Sequence, residues 1–460
     1  MPDPLAAVSP LDGRYASRTA PLAAYASEGA LLRARTHVEI EYLIALADLD
    51  AIDFILPQQA RRTLRAIYES FDADDAALAK QIETEGYGPY AATNHDVKAV
   101  EYFIRERAPD DLDIDQWIHF GLTSEDVNNL AHRLLLKGAM TEVLLPALAD
   151  LHESLVREAR AHHDVAMLAH THGQPATPTT YGKELAVFAN RLDATRQRAE
   201  SAVADLSGKL AGASGTYAAH EVAVPAVDWP AFSASFVQGL GFDHTPLTTQ
   251  VNPCDDIGRL FDALARINQV VIDLDRDIWL YVSKAYLGQS ATSGETGSST
   301  MPHKVNPIDF ENSEGNLSKA TADLRFLADY VTTSRLQRDL SDSTVKRNIG
   351  SALAHCLIGY EKTMAGMQKV EPNEVAMATD LSEHPEVLGE AIQTVLRWAG
   401  HDDAYERLKA TTRGRSITLE DLHAVIVDAD LPDSVEARLL ALTPADYVGR
   451  ASALVAELDE

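Results

Sequence analysis

The chain has 460 residues, of which 46% are hydrophobic and 7% aromatic, and its 40 Lys and Arg against 69 Asp and Glu give a formal net charge of −29. This apolar content supports sizeable folded cores, which excludes disorder as the main state, and the length predicts about two to four domains. The negative charge disfavours nucleic acids and acidic membrane surfaces as partners, and no run of Lys and Arg opposes it.

The cysteines and the apolar runs indicate the compartment. Cys254 and Cys356 lie far apart, which excludes a disulfide framework or a cysteine-built zinc site and predicts two buried thiols in a reducing environment. No stretch of about 18 apolar residues predicts a membrane span, and the first residues lack the apolar core of a signal peptide. We therefore expect a cytoplasmic protein.

A polar segment interrupts the N-terminal helical pattern. Residues 93–96 read Thr-Asn-His-Asp and precede an amphipathic helix that begins at Val97. The simplest interpretation is that Asn94 or Asp96 caps this helix. The alternative is a functional site, because three polar side chains of catalytic type stand in tandem.

Long helices are predicted in the middle of the chain. One opens at residues 123–126, which resemble an N-cap with an acidic first turn, and continues to Leu155, with Pro146 expected to kink or break it. Another covers residues 183–206. The longest covers residues 259–287, without Gly or Pro, and is expected to extend about 44 Å. Helices of this length bury their apolar stripes against one another, so the predicted class is all-α with a central bundle.

Domain edges are predicted at two polar, proline-containing segments. Residues 109–113 precede the first long helix, and residues 371–373 follow the bundle. The predicted domains are an N-terminal helical domain over residues 1–113, a central long-helix bundle over residues 114–369 and a small helical C-terminal domain over residues 370–460.

Residues 170–178, His-Thr-His-Gly-Gln-Pro-Ala-Thr-Pro, form a predicted turn between two helices. An imidazole exchanges protons near neutral pH, so a general acid or base is one interpretation and a structural turn histidine is another. A third is a metal-dependent hydrolase that uses His170 and His172. No acidic residue or further histidine stands at ligand spacing, so we expect no metal.

A second segment rich in chemistry follows the longest helix. Residues 294–307 read Gly-Glu-Thr-Gly-Ser-Ser-Thr-Met-Pro-His-Lys-Val-Asn-Pro. Glycines and small hydroxyl residues predict a mobile loop, which could carry a hydroxyl and backbone amides onto a substrate and exclude water. The alternative is a flexible connector.

Residues 297–307 resemble the signature loop of the fumarase and aspartase superfamily of β-eliminating lyases. Within it, the chain is similar to the adenylosuccinate lyase family of the bacterial long form. The similarity covers essentially the whole chain and includes residues 9–15, 93–96, 123–129, 171–178, 334–343 and 443–450. It implies an all-α, three-domain lyase whose long helices assemble a homotetramer, with active sites shared between subunits.

The resemblance also implies a reaction. Members of the family cleave adenylosuccinate to AMP and fumarate, and release fumarate from the succinyl-carboxamide ribotide of purine biosynthesis. Ser298 is the implied general base, with Ser299 as the alternative, and His172 the general acid. Glu311 is expected to orient the histidine, while Lys304 and the loop amides favour the alkoxide and the developing carbanion. No cofactor is implied.

The implied substrate is a nucleotide with a phosphate and two carboxylates, so cations must gather locally in this acidic chain. The expected contacts are Arg14 and Tyr15 on the phosphate side, Arg338, Ser343 and Arg347 on phosphate and ribose, Thr123, Ser124, Gln250, Lys304 and Asn306 on the succinyl group, and Asn94, His95 and Asp96 near the base and the leaving nitrogen. Arginine suits such oxyanions because it binds them bidentately.

Two alternatives to this activity stay open from the sequence. One is another fumarate-releasing lyase of the superfamily, of the argininosuccinate lyase, fumarase or aspartase type, whose substrate lacks a phosphate. The other is a helical structural protein that reuses a lyase scaffold.

Overall fold

The computed structural model describes residues 4–290, 301, 304–412 and 417–458. The chain divides into two compact units. Unit 1 consists of Met1–Leu148, Thr195–Gln269 and Gly315–Tyr360, and unit 2 of Ala149–Ala194, Val270–Glu314 and Glu361–Glu460. The three domains predicted from the sequence are a different division of the chain and stay a prediction.

Helices dominate the fold, as the sequence predicts. In chain order they are α1 (Ala16–Thr19), α2 (Ala23–Ala26), α3 (Glu28–Leu46), α4 (Gln58–Glu69), α5 (Ala73–Thr84), α6 (Asp96–Arg107), α7 (Ser124–Ala139), α8 (Leu145–Ala161), α9 (Tyr181–Ala204), α10 (Ala218–Ala223), α11 (Trp229–Gly239), α12 (Asp255–Ser283), α13 (Ile308–Val331), α14 (Ser341–Lys346), α15 (Ile349–Met367), α16 (Glu374–Glu383), α17 (Gly389–Trp398), α18 (Ala404–Thr412), α19 (Leu419–Val427), α20 (Asp433–Leu440) and α21 (Ala451–Val455). Short 3-10 turns lie at Pro4–Ala6, Ala20–Leu22, Pro385–Leu388 and Pro444–Asp446.

Strands occur as short pairs between the helices. The antiparallel pairs are β1 (Gly86–Tyr87) with β2 (Tyr90–Ala91), β3 (Ala166–Thr171) with β4 (Gln174–Thr180), and β7 (Leu287–Gln289) with β8 (Val370–Pro372), whereas β5 (Ser207–Gly208) and β6 (Asp243–His244) are parallel. These pairs are too small to form a sheet with its own core. The all-α class is therefore confirmed.

The core of unit 1 includes the contact between α3 and α7. Ala30, Leu31 and Ala34 of α3 form a buried cluster with Ala131 and Leu135 of α7. The three alanines let the two helices approach closely, because a methyl group adds little to the interhelical distance. The same two helices carry buried charged residues, Arg35 on α3 and Glu125 on α7, so their packing sets the distance between these side chains.

The chain stays helical around Pro146, where a kink or a break is predicted. A π-helical turn, Met140–Leu144, follows α7 directly, and α8 begins at Leu145. Pro146 therefore lies in the first turn of α8, where its missing N–H is tolerated and the wider π turn absorbs the irregularity. The helical run continues through Pro146, so the predicted break is wrong and the predicted kink stays a prediction.

The longest predicted helix is present at nearly the expected length. α12 has 29 residues and ends at Ser283, before Ala285 takes a positive φ of 59° and the chain enters β7. Its side chains Leu260, Leu264 and Ile267 are fully buried, as the apolar periodicity predicts. Within the described ranges, no helix combines the length and the apolar character that crossing a lipid bilayer requires.

Unit 2 contains a separate helical core near the C-terminus. Leu396 of α17, Leu408 of α18, Leu422 of α19 and Leu439 of α20 belong to one buried apolar cluster. Elsewhere in the molecule, the buried free thiols predicted at Cys254 and Cys356 are confirmed.

Candidate functional site

His172 lies at the tip of a β-hairpin. β3 and β4 pair with Thr171 opposite Gln174, which leaves His172 and Gly173 as a two-residue loop. Their φ values are 53° and 72°, and two successive positive φ values are the mark of a type I′ hairpin turn. A histidine in this left-handed conformation is uncommon, and such residues cluster at functional sites.

The predicted turn lies between two helices, α8 and α9, as expected, but the two strands of the hairpin that contains it were not predicted. Pro175 and Pro178 argue against a strand in the sequence, because proline cannot donate to a strand ladder. In the structure they lie opposite His170 and Leu168, and the register shifts between these two residues. A two-stranded ribbon tolerates both prolines because its outer edges need no backbone donor.

The two histidines of the hairpin have different surroundings. His172 is exposed and, within the described part of the chain, its ring has no hydrogen bond or ion pair. His170 Nδ1 lies 3.1 Å from Leu168 O, and its Nε2 lies 2.9 Å from Lys284 Nζ. Because an ammonium can only donate, Nε2 accepts and Nδ1 carries the proton.

This geometry gives the two rings separate roles. Burial, followed by the charge of Lys284, lowers the pKa of His170, so this ring is neutral and braces the hairpin. His172 alone is available to a substrate. Among the described residues no group of three or more His, Cys, Asp and Glu could hold a metal ion, and a lysine on His170 disfavours one there.

The loop predicted to carry the base is described only in part. Ser298 and Ser299 lie outside the described residues, whereas Lys304 and Asn306 lie inside them. Lys304 is exposed, and its amide N donates to Met301 O at 3.0 Å. The side chain of Lys304 therefore points to no protein acceptor in the described ranges.

A buried carboxylate fixes the start of α13, directly after this loop. Asp309 accepts hydrogen bonds from Lys362 at 2.6 Å and from Lys369 at 2.8 Å. Burial raises the pKa of Asp309, but the two lysines outweigh burial and the net pKa is lowered. The C-terminal end of the loop is thus anchored by two ion pairs.

Glu311 lies in the first turn of α13. Its Oε1 accepts a hydrogen bond from Trp279 Nε1 at 3.1 Å. No bond from His172 reaches it among the described residues of the chain. Its role in orienting a catalytic histidine stays a prediction.

Residues 93–96 form a helix start, but the cap differs from the expectation. α6 begins at Asp96, and the N-cap is His95, whose Nδ1 accepts from Lys98 N at 3.2 Å. Neither Asn94 nor Asp96 caps the helix, because Asn94 takes a positive φ of 46° and Asp96 is already helical. Capping uses Nδ1 of His95 and leaves its Nε2 free on an exposed side chain.

Asp96 is held by two arginines. Its Oδ2 accepts from Arg35 Nη2 at 2.8 Å and from Arg347 Nη2 at 3.5 Å. Burial raises the pKa of Asp96, but the charge and hydrogen bond of Arg35 outweigh it, so the net pKa is lowered. Arg347 also pairs with Glu28 at 2.8 Å. Asp96 and Arg347, predicted to contact different parts of the substrate, are thus neighbours.

The remaining residues predicted on the phosphate and ribose lie near this pair. Arg338 Nη2 pairs with Glu125 Oε1 at 3.2 Å. Ser343 lies on the short helix α14, and Ser343 and Arg347 line a cavity of about 100 Å³. The cavity walls also include Arg35 and Glu125.

Thr123 and Gln250 are tied to one turn of unit 1. Asp126 accepts from Thr123 N at 2.9 Å and from the amides of Ala211 and Gly212. Asp126 also pairs with Lys209 at 2.9 Å, and both side chains are fully buried. Gln250 Nε2 donates to the carbonyl oxygen of the next residue of the turn, residue 213, at 3.1 Å. Ser124 is the first residue of α7 and directly follows the N-cap residue Thr123.

Arg14 and Tyr15 precede α1. Tyr15 N donates to Pro10 O at 2.8 Å, and Thr19 Oγ1 donates to Leu11 O at 3.1 Å, so the loop is closed on itself. Arg14 is exposed, with no side-chain partner in the described part of the chain. Its guanidinium is available to an anion.

The predicted site residues fall into two groups. Unit 1 contains Arg14, Tyr15, Asn94, His95, Asp96, Thr123, Ser124, Gln250, Arg338, Ser343 and Arg347, and unit 2 contains His172, Lys304, Asn306 and Glu311. Sequence reasoning missed Arg35 and Glu125, which contact members of the first group, and Lys209, which pairs with Asp126 of the turn that holds Thr123. In the sequence, all three stand out only as charged residues. A charge alone only weakly distinguishes a buried charged residue from one on a solvent-exposed face.

Comparisons with known proteins match two consecutive parts of the sequence. The family profile described as "Lyase" matches residues 13–321, and that described as "Adenylosuccinate lyase C-terminal" matches residues 334–448. The chain is 46% identical over 459 residues to the adenylosuccinate lyase of Escherichia coli (strain K12), with 99% of each chain covered. It is 43% identical to that of Dictyostelium discoideum, with 97% of each covered.

Solved structures share the fold at lower identity. A fumarate lyase from Mesorhizobium sp. BNC1 aligns with a TM-score of 0.74 at 18% identity and covers 95% of this chain and 96% of its own. The 3-carboxy-cis,cis-muconate lactonizing enzyme from Pseudomonas putida aligns with a TM-score of 0.70 at 24% identity, covering 92% and 93%. Such identities establish the fold alone, whereas the full-length sequence matches establish the family. The chain belongs to the adenylosuccinate lyase family.

Proposed function

We propose that this protein is a cytoplasmic adenylosuccinate lyase of purine biosynthesis. It cleaves adenylosuccinate to AMP and fumarate, and it releases fumarate from the succinyl-carboxamide ribotide by the same chemistry. The observation that carries the proposal is the 46% identity over 99% of both chains to an adenylosuccinate lyase. The position of His172 at an exposed hairpin tip supports it, because a general acid must reach its substrate.

The reaction is a β-elimination that balances without a cofactor. Ser298, as the alkoxide, takes the proton from the succinyl carbon next to a carboxylate. The electron pair of that C–H bond is held first as a carbanion next to the carboxylate and then forms the double bond of fumarate, as the carbon–nitrogen bond breaks and its electrons stay on nitrogen. His172 delivers the proton that nitrogen then requires. Ser298 is then protonated and His172 neutral, so a proton must pass from Ser298 back to His172 through solvent before the next turnover.

Charge on the intermediate must be stabilised by the protein. The carbanion adjoins a carboxylate, and a well-placed donor contributes about 3–4 kcal/mol to such a transition state. Lys304 is suited to this because its ammonium has no protein acceptor within the described ranges, and Asn306 is expected on the same succinyl group. Ser299 is the alternative base.

Binding of the nucleotide is assigned to the cations and polar groups of unit 1. Arg14 is free to meet the phosphate, and Arg338, Ser343 and Arg347 surround or adjoin one cavity. Arginine forks match phosphate oxygens bidentately, which lets an acidic chain hold an anionic substrate. Thr123 and Gln250, fixed to one turn, are assigned to the succinyl carboxylates.

We also propose that four copies form a homotetramer and that each active site takes residues from more than one copy. Long helices such as α9, α12 and α13 support this, because helices of this length bury their apolar stripes best against one another. The proposal also accounts for Glu311, which has no bond to His172 within the described residues and would orient the histidine of another copy.

The test is to mix the purified protein with adenylosuccinate and follow the ultraviolet absorbance. The expected result is a spectral change to AMP with stoichiometric fumarate, inhibited by AMP but not by malate or arginine. Arg14 and the Arg338 to Arg347 group serve only a phosphate-bearing substrate. Turnover of malate, aspartate or argininosuccinate in place of adenylosuccinate would therefore contradict the proposal.

A further inference from the structure

Arg35 is a buried cation that bonds two segments of unit 1 at once. It lies on α3 and is only 3% exposed. Its Nη2 donates to Asp96 Oδ2 at 2.8 Å, and its Nε donates to Asn128 Oδ1 at 2.8 Å. The planar guanidinium fixes the angle between these two bonds, so the position of Asp96 is coupled to α7.

From Asn128 the bonds continue to a predicted substrate residue. Asn128 Nδ2 donates to Glu125 Oε1 at 3.1 Å, and Arg338 Nη2 pairs with the same oxygen at 3.2 Å. Glu125 is 3% exposed. Arg35 therefore reaches Arg338 through two side chains that are themselves buried.

The same cluster faces the residues expected on phosphate and ribose. Arg35 and Glu125 line one cavity with Ser343 and Arg347. Arg35 Nη1 and Glu125 Oε2 are buried without a hydrogen-bond partner in the described part of the chain. A buried charged group with unused bonding capacity is costly, which argues that its present bonds serve a purpose beyond stability.

We propose that Arg35 is a positioning residue for the cleavage of adenylosuccinate, holding Asp96 directly and Arg338 through Asn128 and Glu125. The inference rests on the proposed function. Arg35 is assigned no substrate contact, because its guanidinium is already bonded to Asp96 and Asn128. It acts by fixing one residue near the leaving nitrogen and one on the nucleotide in a single geometry.

Charge is part of this role. Among the described residues, the charged and titratable groups in contact with Asp96 are Arg35 of α3, Arg347, which follows α14, and the adjacent residue His95. Arg347 also forms an ion pair with Glu28. Arg35 contributes most to the lowering of the pKa of Asp96 against the opposing effect of burial. Removal of the Arg35 charge therefore raises that pKa and protonates Asp96 at a higher pH.

The experiment compares Arg35→Gln, Arg35→Lys and a matched control, Arg33→Gln, in the full-length protein. Arg33 lies on the same helix and, within the described ranges, donates only to a backbone oxygen, that of Ala24, at 2.9 Å. For Arg35→Gln we expect kcat/KM for adenylosuccinate to fall by about 10-fold to 100-fold. The acid limb of its pH profile is expected to move to higher pH. Arg33→Gln is expected to match the wild type in both.

Arg35→Lys separates charge from geometry. A lysine restores the positive charge but not the two-pronged contact, so the acid limb is expected to return toward the wild-type pH while kcat/KM stays low. Equal kcat/KM and equal pH profiles for Arg35→Gln and Arg33→Gln overturn the inference. Absence of cleavage by the wild type rejects the proposed function instead, so the two failures are distinct.

A second variant covers the case in which Arg35→Gln does not fold. Glu125→Gln keeps the shape and the acceptor oxygen but loses the charge that holds Arg338. KM for adenylosuccinate is expected to rise by about 10-fold with a smaller change in kcat, because Arg338 is assigned to binding. An unchanged KM overturns the inference.

Discussion

At the scale of single residues, backbone strain and free hydrogen-bonding capacity distinguish the proposed acid, His172, from its neighbour His170. His172 sits in the left-handed region on an exposed tip, whereas His170 is bonded at both ring nitrogens. A residue that must exchange a proton with a substrate needs a free nitrogen, and a residue that braces a hairpin does not. The spacing of the two histidines in the sequence contains no such distinction.

His172→Ala and Ser298→Ala test the assignment of acid and base. Each is expected to lower kcat by about 10²-fold to 10⁴-fold, since each removes one proton transfer. AMP binding, measured by titration, is expected to change little because neither residue is assigned to the nucleotide. Near-wild-type rates in both variants would contradict the assignment.

His119 is a second residue whose charge is set by its neighbour. Its Nδ1 lies 2.6 Å from Glu39 Oε1, and Glu39 is fully buried. Burial lowers the pKa of His119, but Glu39 outweighs burial and raises the pKa to about 9. A raised histidine pKa contributes stability that is fully present below the unfolded pKa of about 6.5 and is lost as pH rises through about 9.

His119→Gln is therefore expected to be destabilised most near pH 6.5, by about 3–5 kcal/mol, because it leaves the buried Glu39 carboxylate without a cation. Thermal unfolding at pH 6.5 and at pH 10 checks this, with the gap to wild type narrowing at the higher pH. The control His163→Gln, at an exposed position, is expected to show no such trend. A gap that widens with pH would contradict the ion pair.

At the scale of elements, a few connections decide where the functional side chains point. The β3–β4 hairpin ends in two residues with positive φ. Among the described residues, chain neighbours aside, no atom lies within 4 Å of the place where a Cβ of Gly173 would stand, so within that part of the chain only the backbone conformation opposes substitution. Left-handed backbone costs an ordinary residue about 1–2 kcal/mol, and Asn tolerates it best.

Gly173→Asn and Gly173→Val separate the backbone from the side chain. Asn is expected to preserve kcat, whereas Val, which resists positive φ, is expected to displace His172 and lower kcat by about 10-fold. Melting temperatures of both are expected to stay close to wild type, because the tip is exposed. Equal kcat values would show that the turn geometry does not position the acid.

At the scale of the whole molecule, the two groups of site residues lie in different units of the chain. Unit 1 contains the residues assigned to the nucleotide, and unit 2 contains His172 and the loop with Ser298. In the homotetramer that we propose, each active site takes residues from more than one copy. Long helices such as α9, α12 and α13 support that proposal, because helices of this length bury their apolar stripes best against one another.

Subunit exchange tests shared sites directly. His172→Ala and Ser298→Ala, each inactive alone, are expected to recover about a quarter of the wild-type activity after mixing and exchange, if His172 and Ser298 of one site come from different copies. A mixture of His172→Ala with His172→Gln is the matched control and is expected to stay inactive. No recovery in an assembly shown to exchange would count against shared sites.

The sequence by itself determined the helical class, the length of α12 and the family, because periodicity and contiguous motifs are local. Only the tertiary structure decided the bonds between distant segments. Arg35 meets Asp96 across 61 positions and Arg347 meets it across 251. A buried ion pair of this kind leaves no periodic signal, since either partner alone resembles a charge on a solvated helix face. The hairpin of His172 escaped prediction for a related reason, because its prolines oppose a strand locally and are tolerated only at the edge of a ribbon.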